Sequence, residues 1–328
     1  MKSYKVRIAI PIGDPSGIGP EIVLKTVAGI DKKSEIDLTI IGHVTAIQSQ
    51  AEACDISFSH RNGNSYLIGE YPVNVIDNFD ALKTPLEFGK VSPEYGAACY
   101  SYAVTAVELL KSNEIDAVTA APHTEYSVNA AGIEFSGYPS LLENLTDSVG
   151  KVKLLLMGGH LAVMHVTLHQ SLVSAIQSLT GDAVLQTIDN VSAFFKMVGR
   201  TPKIGVCGIN PHAGENGLFG NEDNEIIGPA IKTGREKGFN LEGPLSPDAV
   251  FHRQDLDCII AMYHDQGHIP VKTIAPRSSI AISTGTPYLF GTVAHGSAHD
   301  IAGRNSADPS AFQFLLTTLT QLISDTKK

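Results

Sequence analysis

Three stretches of this 328-residue chain each end an apolar, β-rich run in a histidine set among small or turn-forming residues. They are HVTLHQS with His169, GINPHAGENG with His212 and AMYHDQGHIP with His264. The separations, 43 residues from His169 to His212 and 52 from His212 to His264, exclude a local metal motif such as HExxH. An ion would have to be assembled in space from three strand ends. Neutral imidazoles on separate rigid strands suit a catalytic Zn2+ or similar divalent ion, because three protein ligands leave a coordination position for substrate. Asp265, next to His264, could orient a ligand ring from behind. Taken singly, each of these reads as an ordinary loop or core histidine; only the joint pattern carries the metal reading. His268 competes with His264, and His165 with His169, and spacing does not rank them.

Two further loops carry polar groups among small residues. Gly13–Gly19 (GDPSGIG) follows a strand and opens a helix, so its amides could hold a phosphate or carboxylate. It fits neither GxGxxG nor a P-loop, and a plain strand-to-helix turn explains it as well. Ala294–Arg304 (AHGSAHDIAGR) precedes the last helix and could wrap an adenosine, with Asp300 on a ribose hydroxyl. A helix-capping loop is the competing explanation.

The elements that position these loops alternate. Strands are predicted at Val6–Ile12, Asp37–Ile41, Val73–Ile76, Asp116–Ala120, Ile204–Gly208 and Cys258–Met262, with a hairpin from Val152–Met157 and Leu161–Thr167. Helices are predicted at Pro20–Val27, at Ser92–Lys111 with Ser92 as N-cap, across the periodic stretch Ser171–Val198, and from Asp308 to Ser324. Strand–helix alternation argues for an α/β fold with a mostly parallel or mixed sheet, whose ligands sit beyond the carboxyl ends of the strands. Length suggests two domains, 1–125 plus 270–328 and 126–269.

Composition narrows the partners. The formal net charge of -10 argues against nucleic acid or an acidic membrane surface, which need a cationic face. A small anionic substrate in a locally basic pocket remains compatible. Cys54, Cys99, Cys207 and Cys258 form no CxxC pair and read as reduced thiols. No apolar stretch reaches membrane-spanning length, and the expected location is cytoplasmic.

Together IGDPSGIGPEI at 12–22, NAAGIEFSGY at 129–138, GINPHAGENGLFG at 208–220, AMYHDQG at 261–267 and HGSAHDIAGR at 295–304 resemble the 4-hydroxythreonine-4-phosphate dehydrogenase family over nearly the whole chain. The resemblance implies an isocitrate/isopropylmalate dehydrogenase-like fold, with two α/β/α domains and the active site in the cleft between them. It implies NAD-dependent oxidation of a β-hydroxy acid followed by decarboxylation, NADP being disfavoured by Asp300 near the ribose. It also implies one divalent metal ion at a homodimer interface. Matched by motif, the metal ligands fall on His169, His212 and His264, and a substrate-contacting lysine falls on Lys272. Asp265 is assigned behind the ligands, and Gly296, Asp300, Ile301 and Asp308 to the cofactor. Three imidazoles lean toward zinc, with Mg2+, Mn2+, Co2+ and Fe2+ as alternatives.

The departures from that family are informative. Its substrate-binding Gly-His-Thr-Glu stands here as Gly137-Tyr138-Pro139-Ser140, its phosphate-contacting Asn and Arg as Ala281 and Phe290, and an earlier His-Lys as Thr124-Glu125. A Phe cannot replace the charge-assisted bonds of an Arg. The pattern, with HVTLH at 165–169 and HDQGHIP at 264–270, is similar to a subgroup oxidising terephthalate 1,2-cis-dihydrodiol to protocatechuate. Tyr138, Pro139, Ala281 and Phe290 would then line a pocket for a flat carboxylated ring. The alternatives are oxidation of 4-hydroxythreonine-4-phosphate or a related phosphorylated hydroxy acid, and a ligand-binding regulatory protein on an inactive enzyme scaffold.

Overall fold

The computed structural model describes residues 5–78 and 86–327. The chain runs β1 (Val6–Pro11), α1 (Gly19–Ala28), β2 (Ile36–Ile41), α2 (Val44–Ala53), β3 (Phe58–Asn62), β4 (Ser65–Ile68), β5 (Tyr71–Ile76), α3 (Pro93–Lys111), β6 (Ala117–Ala120), α4 (Glu125–Ala130) and α5 (Tyr138–Leu145). It continues through β7 (Lys153–Gly158), β8 (Leu161–His165), α6 (Leu172–Gln177), α7 (Gly181–Met197), β9 (Ile204–Cys207), α8 (Gly228–Glu236), β10 (Leu241–Leu245), β11 (Cys258–Ala261), α9 (His264–Ile274) and β12 (Ile280–Thr284). It closes with β13 (Leu289–Val293) and α10 (Ser310–Thr326). Among the described residues no helix is long and apolar enough to cross a membrane.

The α/β chain forms two compact units, Met1–Val152 with Tyr288–Lys328, and Lys153–Pro287. This division groups residues 126–152 with the first unit and 270–287 with the second, the reverse of the boundaries expected from sequence at 125 and 269. The reason is packing. Helix α5 packs on α3 of the first unit, whereas β12 pairs with β7 and α9 lies against β7 and β8 in the second.

In the first unit the strand order is β13-β6-β1-β2-β5-β4-β3, parallel from β13 to β5 and antiparallel thereafter. The central strands are mostly apolar because helices cover parallel sheets on both faces; Ile8, Ile10, Leu38, Ile40 and Val118 are fully buried. Helix α3 starts where Ser92 accepts a hydrogen bond from the Tyr95 amide (3.3 Å), and Pro93 occupies its first turn.

The second unit positions the histidines. Its order is β10-β9-β11-β8-β7-β12, with β10, β9, β11 and β8 mutually parallel and β7 antiparallel to both neighbours. Parallel pairing puts the carboxyl ends of β8, β9 and β11 on one edge, and the loops carrying His169, His212 and His264 leave from that edge. Two expectations are corrected here. The periodic stretch 171–198 is two helices, because Thr180 caps a new one by accepting from the Ala183 amide (3.2 Å). His264 opens helix α9 and does not sit in a loop.

Candidate active site

Hydrogen bonds at the strand ends bring the first and third histidine segments together. Beyond β8 and β11, the Val166 amide donates to the Ala261 carbonyl (2.8 Å) and the Thr167 hydroxyl to the Met262 carbonyl (2.8 Å). This side-by-side run leaves the rings of His169 and His264 with centroids 5.6 Å apart. Both line an open cavity of about 300 Å3 with Leu168, Gln170, Leu172, Ala175, Tyr263 and Asp265. The Asp265 carboxylate lies 2.7 Å from His264 Nδ1. Accepting that N–H keeps the Nε2 lone pair of His264 available to an ion.

Burial separates the competing pairs left open by spacing. His165 is 2% exposed, so its ring has no solvent-facing position for an open site. His169 is exposed and His264 half-exposed. Burial, reinforced by the neighbouring His268 and His264, pushes His165 down to about 3. It stays neutral at pH 7.

His212 is placed differently. From His212 to Asn216 five successive residues have φ between +40° and +78°, a left-handed turn in which only Gly214 escapes the Cβ penalty. Such a turn persists only where its surroundings over-determine it. Asp223, fully buried, does so by accepting hydrogen bonds from the Ile209 amide (2.8 Å), the Asn210 amide (3.1 Å) and Asn210 Nδ2 (3.0 Å). Gln266 joins this loop to α9, donating to the Gly208 carbonyl (2.8 Å) while accepting from the Met262 amide (2.6 Å). Asp223 lies outside every sequence motif, and Gln266, though inside AMYHDQG, was given no role by it.

The donor set fits a divalent ion in part. Two imidazoles on one tetrahedral zinc, with bonds of about 2.0–2.1 Å, hold their ring centres roughly 5 Å apart; His169 and His264 match that separation. Within one chain, however, no group of three or more His, Cys, Asp or Glu among the described residues is placed to hold an ion. Among the described residues His212 therefore does not complete a single-chain triad with His169 and His264. Lys272 is exposed on α9, eight residues from His264 and so on the same helical face.

The residues expected around the substrate fall otherwise. Tyr138 and Phe290, 1% and 0% exposed, pack on each other in the first unit with ring centroids 5.2 Å apart. Tyr138 also donates to the Ala121 carbonyl (2.7 Å) and lies against His123. They are core side chains, a correction to their reading as pocket walls. Tyr138→Phe should lower stability by about 1 kcal/mol, through loss of one buried hydrogen bond. Denaturant unfolding would show this while KM stays unchanged. Pro139 is half-buried at the start of α5, and Ala281 is buried on β12 opposite Leu156.

In the first unit the glycine loop and the 295–304 loop are bound together. The amides of Asp14, Ser16, Gly17 and Ile18 are spent on Pro122, Asp14 and Ser297 acceptors. The loop is accordingly a tight turn, and these amides are not offered to a phosphate. Gly17 has no alternative, since a Cβ there would meet Ser297 Cβ at 2.7 Å. His299 Nε2 lies 3.3 Å from Asp14 Oδ2. Gly296 has open space where a Cβ would stand, and Asp300 is exposed, an arrangement that fits a nucleoside packed on the backbone with its hydroxyls on a carboxylate. Ile301 is half-buried, and Asp308 is occupied in capping, accepting from the Ser310 amide (2.9 Å) and hydroxyl (2.5 Å). All four cysteines are buried and free, and burial raises their thiols, so none is a nucleophile.

Comparison with known proteins identifies the family. Residues 34–316 match the family described as "Pyridoxal phosphate biosynthetic protein PdxA". The chain is 38% identical over 318 residues to 1,2-dihydroxy-3,5-cyclohexadiene-1,4-dicarboxylate dehydrogenase from Comamonas sp, covering 96% of each chain. It is 37% identical over 315 residues to D-threonate 4-phosphate dehydrogenase from Cupriavidus necator, covering 94% of each. The crystal structure of 4-hydroxythreonine-4-phosphate dehydrogenase from Klebsiella pneumoniae superposes with a TM-score of 0.86 at 30% identity, covering 97% of this chain and 99% of that one. With a family match over most of its length and dehydrogenases as its relatives, the chain belongs to the PdxA family and is a dehydrogenase.

Proposed function

We propose that this dehydrogenase oxidises a carboxylated cis-dihydrodiol with NAD and a divalent ion, and that its site is shared between two copies of the chain. The single observation that carries the reading is the approach of His169 and His264 over one open cavity, with Asp265 behind His264. When bound, the ion supplies Lewis-acid polarisation of the substrate hydroxyl and NAD takes up the hydride. His169 and His264 of one chain and His212 of the other hold the ion. Asp265 fixes the His264 tautomer. Lys272, two turns along α9, orients a substrate carboxylate by charge. Asp300 and the open backbone at Gly296 receive the nucleoside. The β-keto acid formed by oxidation loses CO2, and the ring becomes a catechol.

Two features support the second copy. Among the described residues His212 joins no three-donor group within its own chain. Exposed apolar side chains also flank each histidine segment: Leu172, Val173 and Ile176 after His169, Leu218 and Phe219 after His212, and Ile269 and Ile274 after His264. Exposed apolar side chains of this size support an association face. The substrate class rests on Ala281 and Phe290 standing where the resemblance expects an Asn and an Arg for phosphate. Terephthalate dihydrodiol and phosphohydroxythreonine should be assayed side by side with NAD; the expected outcome is turnover of the dihydrodiol alone. Turnover of only the phosphorylated compound would reject the substrate assignment.

A further inference from the structure

Behind the two candidate ligands stands a second histidine pair with no assigned role. His268 lies one helical turn after His264 on α9, and their rings stack with centroids 3.7 Å apart and planes within 10°. Parallel rings this close cannot bind one ion together, so His268 is not a further ligand beside His264. Its Nδ1 lies 3.2 Å from the His264 carbonyl oxygen and 3.2 Å from His165 Nε2. The carbonyl can only accept, so a proton on His268 Nδ1 serves both contacts, with the buried His165 accepting at Nε2. Neutral His165 must then hold its own proton on Nδ1, which is buried with no partner. An orphaned polar atom in a core is costly and is kept where the group does something else.

The backbone is arranged for this contact. A Cβ at Gly267 would meet His165 Nε2 at 2.3 Å and Val163 Cγ1 at 2.7 Å. Glycine at 267 thus lets α9 approach β8 closely enough for His165 to reach His268. His264, His268 and Lys272 follow one another at four-residue intervals along one face of the helix, with His268 in the middle.

We propose, resting on the metal reading above, that His268 is a positioning residue: locked by His165, it fixes the ring plane of His264 by face-to-face stacking. Asp265 sets the tautomer of His264 and His268 sets its rotation, so the two together leave one orientation for the lone pair.

The test is direct Zn2+ binding to the purified, metal-stripped protein, by competition with a chelating dye, alongside the split of kcat against KM. His268→Ala should weaken Zn2+ binding by about 10–100-fold, the usual cost of losing a group that orients a ligand. His268→Phe, which keeps a flat ring on His264, should stay within about threefold of the wild type. Both variants should lower kcat more than they raise KM. Thermal unfolding of the stripped proteins checks their folding. If His268→Ala does not fold, His268→Leu fills the volume without a flat face and carries the same expectation. Zn2+ affinity within about twofold of wild type in the Ala or Leu variant, or a Phe variant no better than Ala, would overturn the proposal. His264→Ala separates the two levels. If it loses Zn2+ while His268→Ala keeps it, only this inference fails; if His264→Ala itself keeps Zn2+, the metal reading fails.

Discussion

Replacing His212 with alanine is expected to strip the divalent ion and abolish turnover while leaving the fold intact. The side chain is exposed at the tip of its turn, so its removal creates no cavity. In the proposed site it removes one of three donors. With two imidazoles remaining, affinity should fall by more than the ~10–100-fold that loss of an orienting partner costs. Elemental analysis after dialysis and steady-state turnover measure the two consequences separately, and unfolding midpoints should agree with wild type. Retained ion with full activity would remove His212 from the site.

Asp223→Ala should be nearly as damaging, by another route. Its carboxylate receives three hydrogen bonds from residues 209 and 210 and is fully buried. Hydrogen bonds to a charged acceptor contribute about 1.5–3 kcal/mol each, and the donors left behind would be partly buried and unpaired. The left-handed turn from His212 to Asn216 loses the group that over-determines it and should relax toward ordinary conformations. The expected result is destabilisation of about 3 kcal/mol or more together with loss of bound ion. Asp223→Asn keeps the acceptor shape at one oxygen and should fall between Ala and wild type. Chemical denaturation and ion content in one series would show this; ion content unchanged in Asp223→Ala would mean that the turn does not position His212.

These residues show where the sequence is legible. Helix α3 could be read at its first turn because Ser92-Pro93-Glu94 combines a cap, a proline and an acidic side chain whose effects are local. The parallel strands β9 and β11 were legible as apolar runs for the same reason that they are buried on both faces. Helix α9 was not legible, because Gly267 and Pro270 look like loop residues. Gly267 is there for the contact with His165, a partner about a hundred residues away. The ranking of His169 over His165 depends on burial, which two histidines four residues apart do not encode. Tyr138 and Phe290 were read as pocket walls, yet whether such aromatic side chains line a pocket or fill a core is decided by the surrounding chain. Asp223 carries no motif at all; its role exists only because residues 209 and 210 fold against it.

The central claim is that distant imidazoles meet on one ion drawn from two copies of the chain. The most direct measurement mixes two inactive variants, His212→Ala and His264→Ala, after dissociating and reassembling the subunits. In a mixed dimer one site would regain all three ligands and the other would lose two. Random reassembly should then restore about a quarter of the wild-type sites, in both turnover and bound ion. A mixture as inactive and ion-free as its parents, with mixed dimers shown to be present, would contradict the account.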